Sequence, residues 1–310
     1  MRSCSLFEYS HAFLPSFLFC SFHAATTSEI GPLLINYFTT QSLSPLKSDK
    51  RTDNSMAKKL KEYYNQEYCL FLGHKIASVY PPFDTGKFIN LVSQRLEFLE
   101  FNDRQILIAT ALKACLPESY EQTLSIFIRI LGPEVEGSLG MFSEGWWLWP
   151  VGKFVELYGD THFEPSTAFS KELTKRFTGE YCMRPILIRF PEKTMRLMLE
   201  WSKDEHQRVR RLASECLRIY LPWSKKTDVA LRHFDLYREI LSNLRNDPDK
   251  TIQKSVANNL NDLYKADPLK FEQIITDWES PDMTKACAWI IKHASRTKNK
   301  DAMCSSCEER

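Results

Sequence analysis

The sequence predicts an all-α chain of stacked helix pairs. Three observations carry this reading. Apolar residues recur at spacings of three and four along most of the chain. Prolines stand at the ends of those stripes. A segment near the C-terminus repeats itself at an offset of 43 residues. Composition agrees: Gly is only 10 of 310 residues, where ~7% is usual. Nucleotide-binding α/β folds and β-sandwiches use glycine at phosphate loops and turns, so both are disfavoured.

Residues 1–55 hold aromatics, Ser and Thr without a period. The apolar run 12–22 is short and carries Pro15, and no disulfide framework supports a secretory signal. Residues 44–55 read as a polar linker, and Met56 opens what looks like an ordinary protein start. The expectation is a disordered extension over 1–55, a repeat domain over 56–296 and a disordered tail over 297–310. Within the domain, Phe88, Leu91, Val92, Leu96 and Leu99 form one stripe. Ile106, Leu107, Ala109, Leu112 and Leu116 form a second, and Leu124, Phe127, Ile128 and Leu131 a third. Each stripe places one helix face on a core. Pro81, Pro82, Pro117, Pro133, Pro191, Pro222, Pro248 and Pro268 punctuate them.

The repeat aligns 204–217 with 247–260, each preceded by an apolar helix, Thr194–Trp201 and Leu236–Leu244. A looser third copy runs through Phe271–Trp278 and 282–293. Helix pairs at this period with an aspartate turn are the signature of HEAT-like repeats. One pair cannot bury its apolar face alone, so neighbours stack into a superhelix, an α-solenoid. A C-shape with a concave basic groove is the expected architecture.

The net charge is only +2, which excludes a histone-like polycation. Residues 201–300 nevertheless carry 19 Lys and Arg against 14 Asp and Glu, which favours a polyanionic partner. Basic residues open the second helix of each repeat: Arg208, Arg210 and Arg211, then Lys250 and Lys254, then Lys285. They oppose the helix macrodipole, so helix stability does not account for them. A solvated charged face is the competing explanation. The nine cysteines are mostly single within apolar runs, as in a reduced intracellular protein; the lone Cys304–Cys307 pair is too few ligands for zinc. No apolar run reaches the ~18 residues of a membrane span.

Acidic and amide residues interrupt this pattern. Glu215 and Asn258 are equivalent in the repeat, and Asp262 follows Asn258 by four residues, one helical turn. Asn258, Asn261 and Asp262 are unusual in an apolar helix and must be paired, solvated or functional. Glu180 lies in Thr178-Gly-Glu-Tyr-Cys-Met-Arg-Pro185, where an ordinary pair with Arg184 is one explanation. Trp223, after Pro222, reads as a core plug at a helix end. Trp146, Trp147 and Trp149 read as core packing, with base stacking the alternative.

Three motifs in order resemble the AlkC branch of the DNA alkylation-repair glycosylases. These are the 178–185 run, Val209-Arg-Arg-Leu-Ala-Ser-Glu215 ending in Leu221-Pro-Trp223, and Ser255-Val-Ala-Asn-Asn-Leu-Asn-Asp262. The likeness runs from about His74 to Arg296. The chain departs from the family at Cys216, at Ile219 and Tyr220, and at Gln253 and Lys254, mostly in the phosphate-binding part. On this reading the extra C-terminal DNA-binding domain of some relatives is not expected.

The resemblance implies a glycosylase that hydrolyses the N-glycosidic bond of cationic alkylated bases of the 3-methyladenine type in double-stranded DNA. Glu180 and Asp262 would position water or stabilise charge, with Glu215 in support. Trp223 and Arg184 would contact substrate, and Arg210, Arg211 and Lys254 the DNA backbone. It implies no metal and no cofactor, no membrane, a monomer, and an intracellular site of action: the bacterial nucleoid, or the nucleus of a eukaryote. A non-enzymatic repeat scaffold, or a DNA binder without catalysis, is the alternative. Convergence of Glu180, Asp262 and Trp223 on one surface is the geometric expectation that separates them.

Overall fold

Helices account for most of the backbone described by the structure, a computed structural model that covers residues 59–135 and 145–308. The expectations for 1–55 lie outside the described residues. Six helices build the first part: α1 (Gln66–Val79), α2 (Thr85–Ser93), α3 (Phe101–Cys115), α4 (Tyr120–Ile130), α5 (Trp149–Tyr158) and α6 (Phe163–Thr174). Side chains of Asn65, Asp84 and Ser119 accept the first free backbone N–H groups of α1, α2 and α4. The stripe predicted over 88–99 is one helix only to Ser93; a separate 3-10 turn, Leu96–Phe98, carries its end.

The second part holds α7 (Glu180–Arg189), α8 (Pro191–Trp201), α9 (Gln207–Glu215), the single turn α10 (Val229–Arg232), α11 (Phe234–Leu244), α12 (Lys250–Ala266), α13 (Pro268–Trp278), α14 (Lys285–Ala294) and α15 (Arg296–Glu308). No strand occurs among the described residues. Pro191 and Pro268 are first residues of their helices, where no N–H is needed.

Two apolar cores result. Leu72, Phe88, Ile108, Phe127 and Phe154 belong to the first. Met198, Leu212, Tyr237, Val256, Leu260 and Phe271 belong to the second. Each such side chain contributes about 1.5–3 kcal/mol of transfer free energy.

The repeat is visible in its polar joints. Asp204 Oδ1 accepts the N–H of His206 at 2.9 Å, and Asp247 Oδ1 that of Asp249 at 3.0 Å. Each aspartate also receives a cation from the preceding helix pair. Lys171 Nζ lies 2.6 Å from Asp204, and Arg210 Nε 2.6 Å from Asp247. Between α9 and α12 runs a seam of small side chains. Ser255 Oγ donates to Ser214 Oγ at 2.9 Å, and Asn259 Nδ2 donates to the Ser214 carbonyl at 2.9 Å.

The tail departs from expectation. Residues 297–308 are not an unstructured end but continue as α15. Thr297 Oγ1 takes a hydrogen bond from Asn261 at 2.9 Å, and Lys298 pairs with Glu272 at 2.6 Å. These partners lie 26 or more residues away, so local composition could not reveal them.

Candidate active site

A cavity of about 350 Å³ opens where α5, α7, α9 and α12 meet. Glu180 is the first residue of α7, a position where a carboxylate faces the positive helix end. Gly179 precedes it because a Cβ there would lie 2.9 Å from the Ser170 carbonyl oxygen and 3.1 Å from Leu212. The carboxylate takes a short hydrogen bond from the Thr178 hydroxyl. Arg211 Nη2 lies 3.6 Å from Glu180 Oε1 and 3.9 Å from Glu215 Oε2.

The series continues outward from the cavity. Arg218 Nη1 is 3.1 Å from Glu215 Oε1, and its Nε is 3.1 Å from Asp262 Oδ2. The backbone N–H of Tyr220 also donates to Asp262 at 3.4 Å. Three carboxylates and two guanidiniums thus alternate in one ladder, with Glu180 6% exposed, Glu215 7% and Asp262 3%.

Environment separates the carboxyls. Burial pushes Glu180 up, and the Glu215 charge adds to this, against the pull of Arg211. Burial also opposes ionisation of Glu215, but Arg211 and Arg218 together hold it below the usual carboxylate range. Burial raises Asp262, and Arg218 offsets this only in part. A pair pushed in opposite directions is the arrangement that divides proton-accepting from charge-bearing roles.

Aromatic rings form the opposite wall. Trp149 stacks on Tyr181 with centroids 5.7 Å apart and planes at 24°, and Phe177 lies 5.4 Å from Trp149. Lys254, Ser255 and Asn258 of α12 complete the lining.

A family model described as DNA alkylation repair enzyme matches residues 177–303. The uncharacterized protein YhaZ of Bacillus subtilis (strain 168) is 35% identical over 241 residues, covering 77% of this chain and 64% of its own length. The structure of the Pseudomonas fluorescens alkylpurine DNA glycosylase AlkC, bound to DNA containing an abasic site analog, superimposes with a TM-score of 0.69 at 31% identity. That match covers 78% of this chain and 65% of the other. The chain is thus similar to AlkC-type DNA alkylation repair enzymes over the residues these matches cover. It spans slightly less than two thirds of the length of either relative.

The sequence-predicted residues separate into two groups. Glu180, Glu215, Arg211 and Lys254 come together at the cavity. Asp262 does not line it and joins through Arg218. Trp223 is no core plug: its ring is 59% exposed and sits 6.1 Å from Trp149 and 6.2 Å from Phe101. Its backbone is left-handed at φ 59°, a conformation costing about 1–2 kcal/mol for an L side chain.

Several expectations are corrected. Glu180 pairs with Arg211 and not with Arg184. Arg184 is only 2% exposed, so it is not placed to touch substrate. Its guanidinium donates to the carbonyls of Lys225 at 2.8 Å, Cys216 at 3.0 Å, Arg218 at 2.7 Å and Ile219 at 3.3 Å. Arg210 is likewise spent inside the repeat stack, on Asp247 and on the carbonyls of Asp204 and Glu205. Arg211, expected on the DNA backbone, is held between two carboxylates. Lys254, its equivalent one repeat later, is exposed at the rim. Gln253, equivalent to Arg210, turns inward and donates to the Asp247 carbonyl at 2.8 Å.

The amides that looked functional are paired. Asn261 reaches the Ala294 carbonyl at 2.9 Å, and Asn258 accepts from Arg296 at 3.1 Å. The sequence reading missed Tyr181 and Arg218, and took Trp149 for core packing with base stacking as the alternative. For Arg218 the signal was present: it follows Glu215 by three residues, and Arg211 precedes Glu215 by four.

Proposed function

We propose that the chain is a DNA glycosylase that hydrolyses the N-glycosidic bond of cationic alkylated bases of the 3-methyladenine type in double-stranded DNA. The observation that supports this most is the shared arginine: Glu180 and Glu215 flank Arg211 in a cavity walled by Trp149 and Tyr181.

An alkylated purine already carries positive charge, so it leaves neutral without first taking a proton. The bond from the sugar carbon to the base nitrogen breaks, and the electron pair goes to the base. Positive charge then develops on the sugar. Glu215, held ionised by Arg211 and Arg218, stabilises that cation by charge. Water adds to the sugar carbon, and its proton passes to Glu180, whose raised affinity suits an acceptor. Trp149 and Tyr181 offer π faces to a cation, worth about 0.5–2 kcal/mol. Asp262 adds negative charge from behind Arg218. Lys254 meets a phosphate, while Trp223 stands exposed beside the wall for contact with the DNA. The reaction draws on water and these side chains alone. The chain acts as a monomer inside the cell. Among the described residues no helix is long and apolar enough to cross a membrane.

The test is release of 3-methyladenine from methylated duplex DNA by the full chain, compared with Glu180→Gln and Asp262→Asn. Release by the wild type, reduced in both variants, is the expected result. An inactive wild type, or full activity in both variants, refutes the reading.

A further inference from the structure

Arg218 lies just past the end of α9, where helix geometry no longer dictates its direction. One edge of its guanidinium meets Glu215 of its own repeat at 3.1 Å; another meets Asp262 of the next repeat at 3.1 Å. A planar fork satisfies two carboxylates only in a fixed orientation. Its backbone is pinned as well. Arg184 donates to the Arg218 carbonyl at 2.7 Å and to the carbonyls of Cys216, Ile219 and Lys225 around it. With the side chain 11% exposed, salt screens these contacts little.

The charge pattern gives this a purpose. With every group of the ladder ionised, three carboxylates against two guanidiniums leave one net negative charge, opposite to a sugar cation. Without Arg218, Glu215 and Asp262 would repel, turn apart or take up protons. We propose that Arg218 is a positioning residue: it joins Glu215 and Asp262 into one fixed anionic unit directed at the positive charge of the reacting sugar. This explains why Asp262, which does not line the cavity, is tied through Arg218 to Glu215, which does. The inference rests on the glycosylase reading for its purpose, yet it is testable by binding alone.

The experiment uses the full chain and two duplexes, one with a cationic pyrrolidine at the abasic position and one with neutral tetrahydrofuran. Wild type is expected to prefer the pyrrolidine duplex by at least roughly tenfold. Arg218→Gln is expected to bring that preference close to unity while affinity for the tetrahydrofuran duplex stays within about twofold. Arg218→Lys restores only part, because one ammonium is not a fork. Should circular dichroism show that Arg218→Gln does not fold, Arg218→Lys carries the test: its preference falls at least about threefold with neutral affinity kept. A retained preference in the folded variants overturns the inference, and so does an equal loss on both duplexes, the mark of a merely structural tie. A wild type without preference overturns it too, even where base release succeeds. A wild type that prefers pyrrolidine but releases no methylated base leaves Arg218 in its role and defeats the glycosylase reading.

Discussion

The two halves of the molecule both bury arginines, but they give them different partners. In the first half Arg104 is 6% exposed and donates to the carbonyls of Leu99, Lys61, Tyr64 and Glu97. In the second half Arg184 does the same for the segment after α9, yet Arg211 and Arg218 beside it face carboxylates. A guanidinium on carbonyls fixes backbone. A guanidinium on carboxylates fixes charge, and its loss leaves an anion in a site of low polarity. Burial alone therefore does not mark a functional arginine; the chemistry of its acceptor does.

The largest expected effect breaks the comparison at its acidic end. Glu180→Gln and Glu215→Gln should each slow single-turnover base release by at least about 100-fold. Loss smaller than about threefold in Glu215→Gln would remove the distinction between the two halves.

Next come the carbonyl-bound arginines. Arg104→Met and Arg184→Met each remove the donor shared by four backbone carbonyls, and urea unfolding should show a loss of about 3 kcal/mol or more. The rate per folded molecule separates them: unchanged for Arg104→Met, reduced for Arg184→Met, which frees the backbone of Arg218.

The pH dependence sharpens the contrast between the carboxyls that share Arg211. Glu215 is depressed in the folded state despite its burial, so its stabilisation is present above the unfolded value of ~4.3 and is lost as pH falls through the folded value. Glu180 is raised by burial, so its ionisation opposes folding as pH rises from that unfolded value through the folded one. Thermal melts at neutral pH should show Glu215→Gln below wild type and Glu180→Gln at or above it. Both differences should shrink towards zero once the pH is low enough to protonate both groups. Reversed signs at neutral pH would mean that Glu180, not Glu215, is the permanent anion.

The smallest effect concerns the exposed cation. Lys254→Ala should lower duplex affinity a few-fold and reduce the salt slope of binding by about one. An unchanged slope would show that Lys254 does not meet a phosphate.

Much of the architecture was legible because it is local. Spacings of three and four named the helices, and the 43-residue offset found matching turns at Asp204 and Asp247. Glu180 and Glu215 stood out by interrupting apolar and basic runs. The partners of Arg184, Arg210 and Arg211 were not legible, because carbonyl, carboxylate and phosphate all attract a guanidinium and only packing decides which is near. Trp149 was legible only as core packing or base stacking, for a related reason. It is 7% exposed and so reads as core, although one face of that core is the cavity wall.

The seam between α9 and α12 acts as a spacer. Glu180 and Tyr181 stand on α7, Arg211 and Glu215 on α9, Lys254 and Asn258 on α12, so the aperture is an interval between helices and not the shape of a loop. Ser214 and Ser255 are the shims that set that interval, with their oxygens 2.9 Å apart. In a close-packed interior a bulkier shim has nowhere to go except to move the helix that carries it. The width of the aperture is thus adjustable from behind the wall through Ser214, a fully buried, uncharged residue that does not line the cavity.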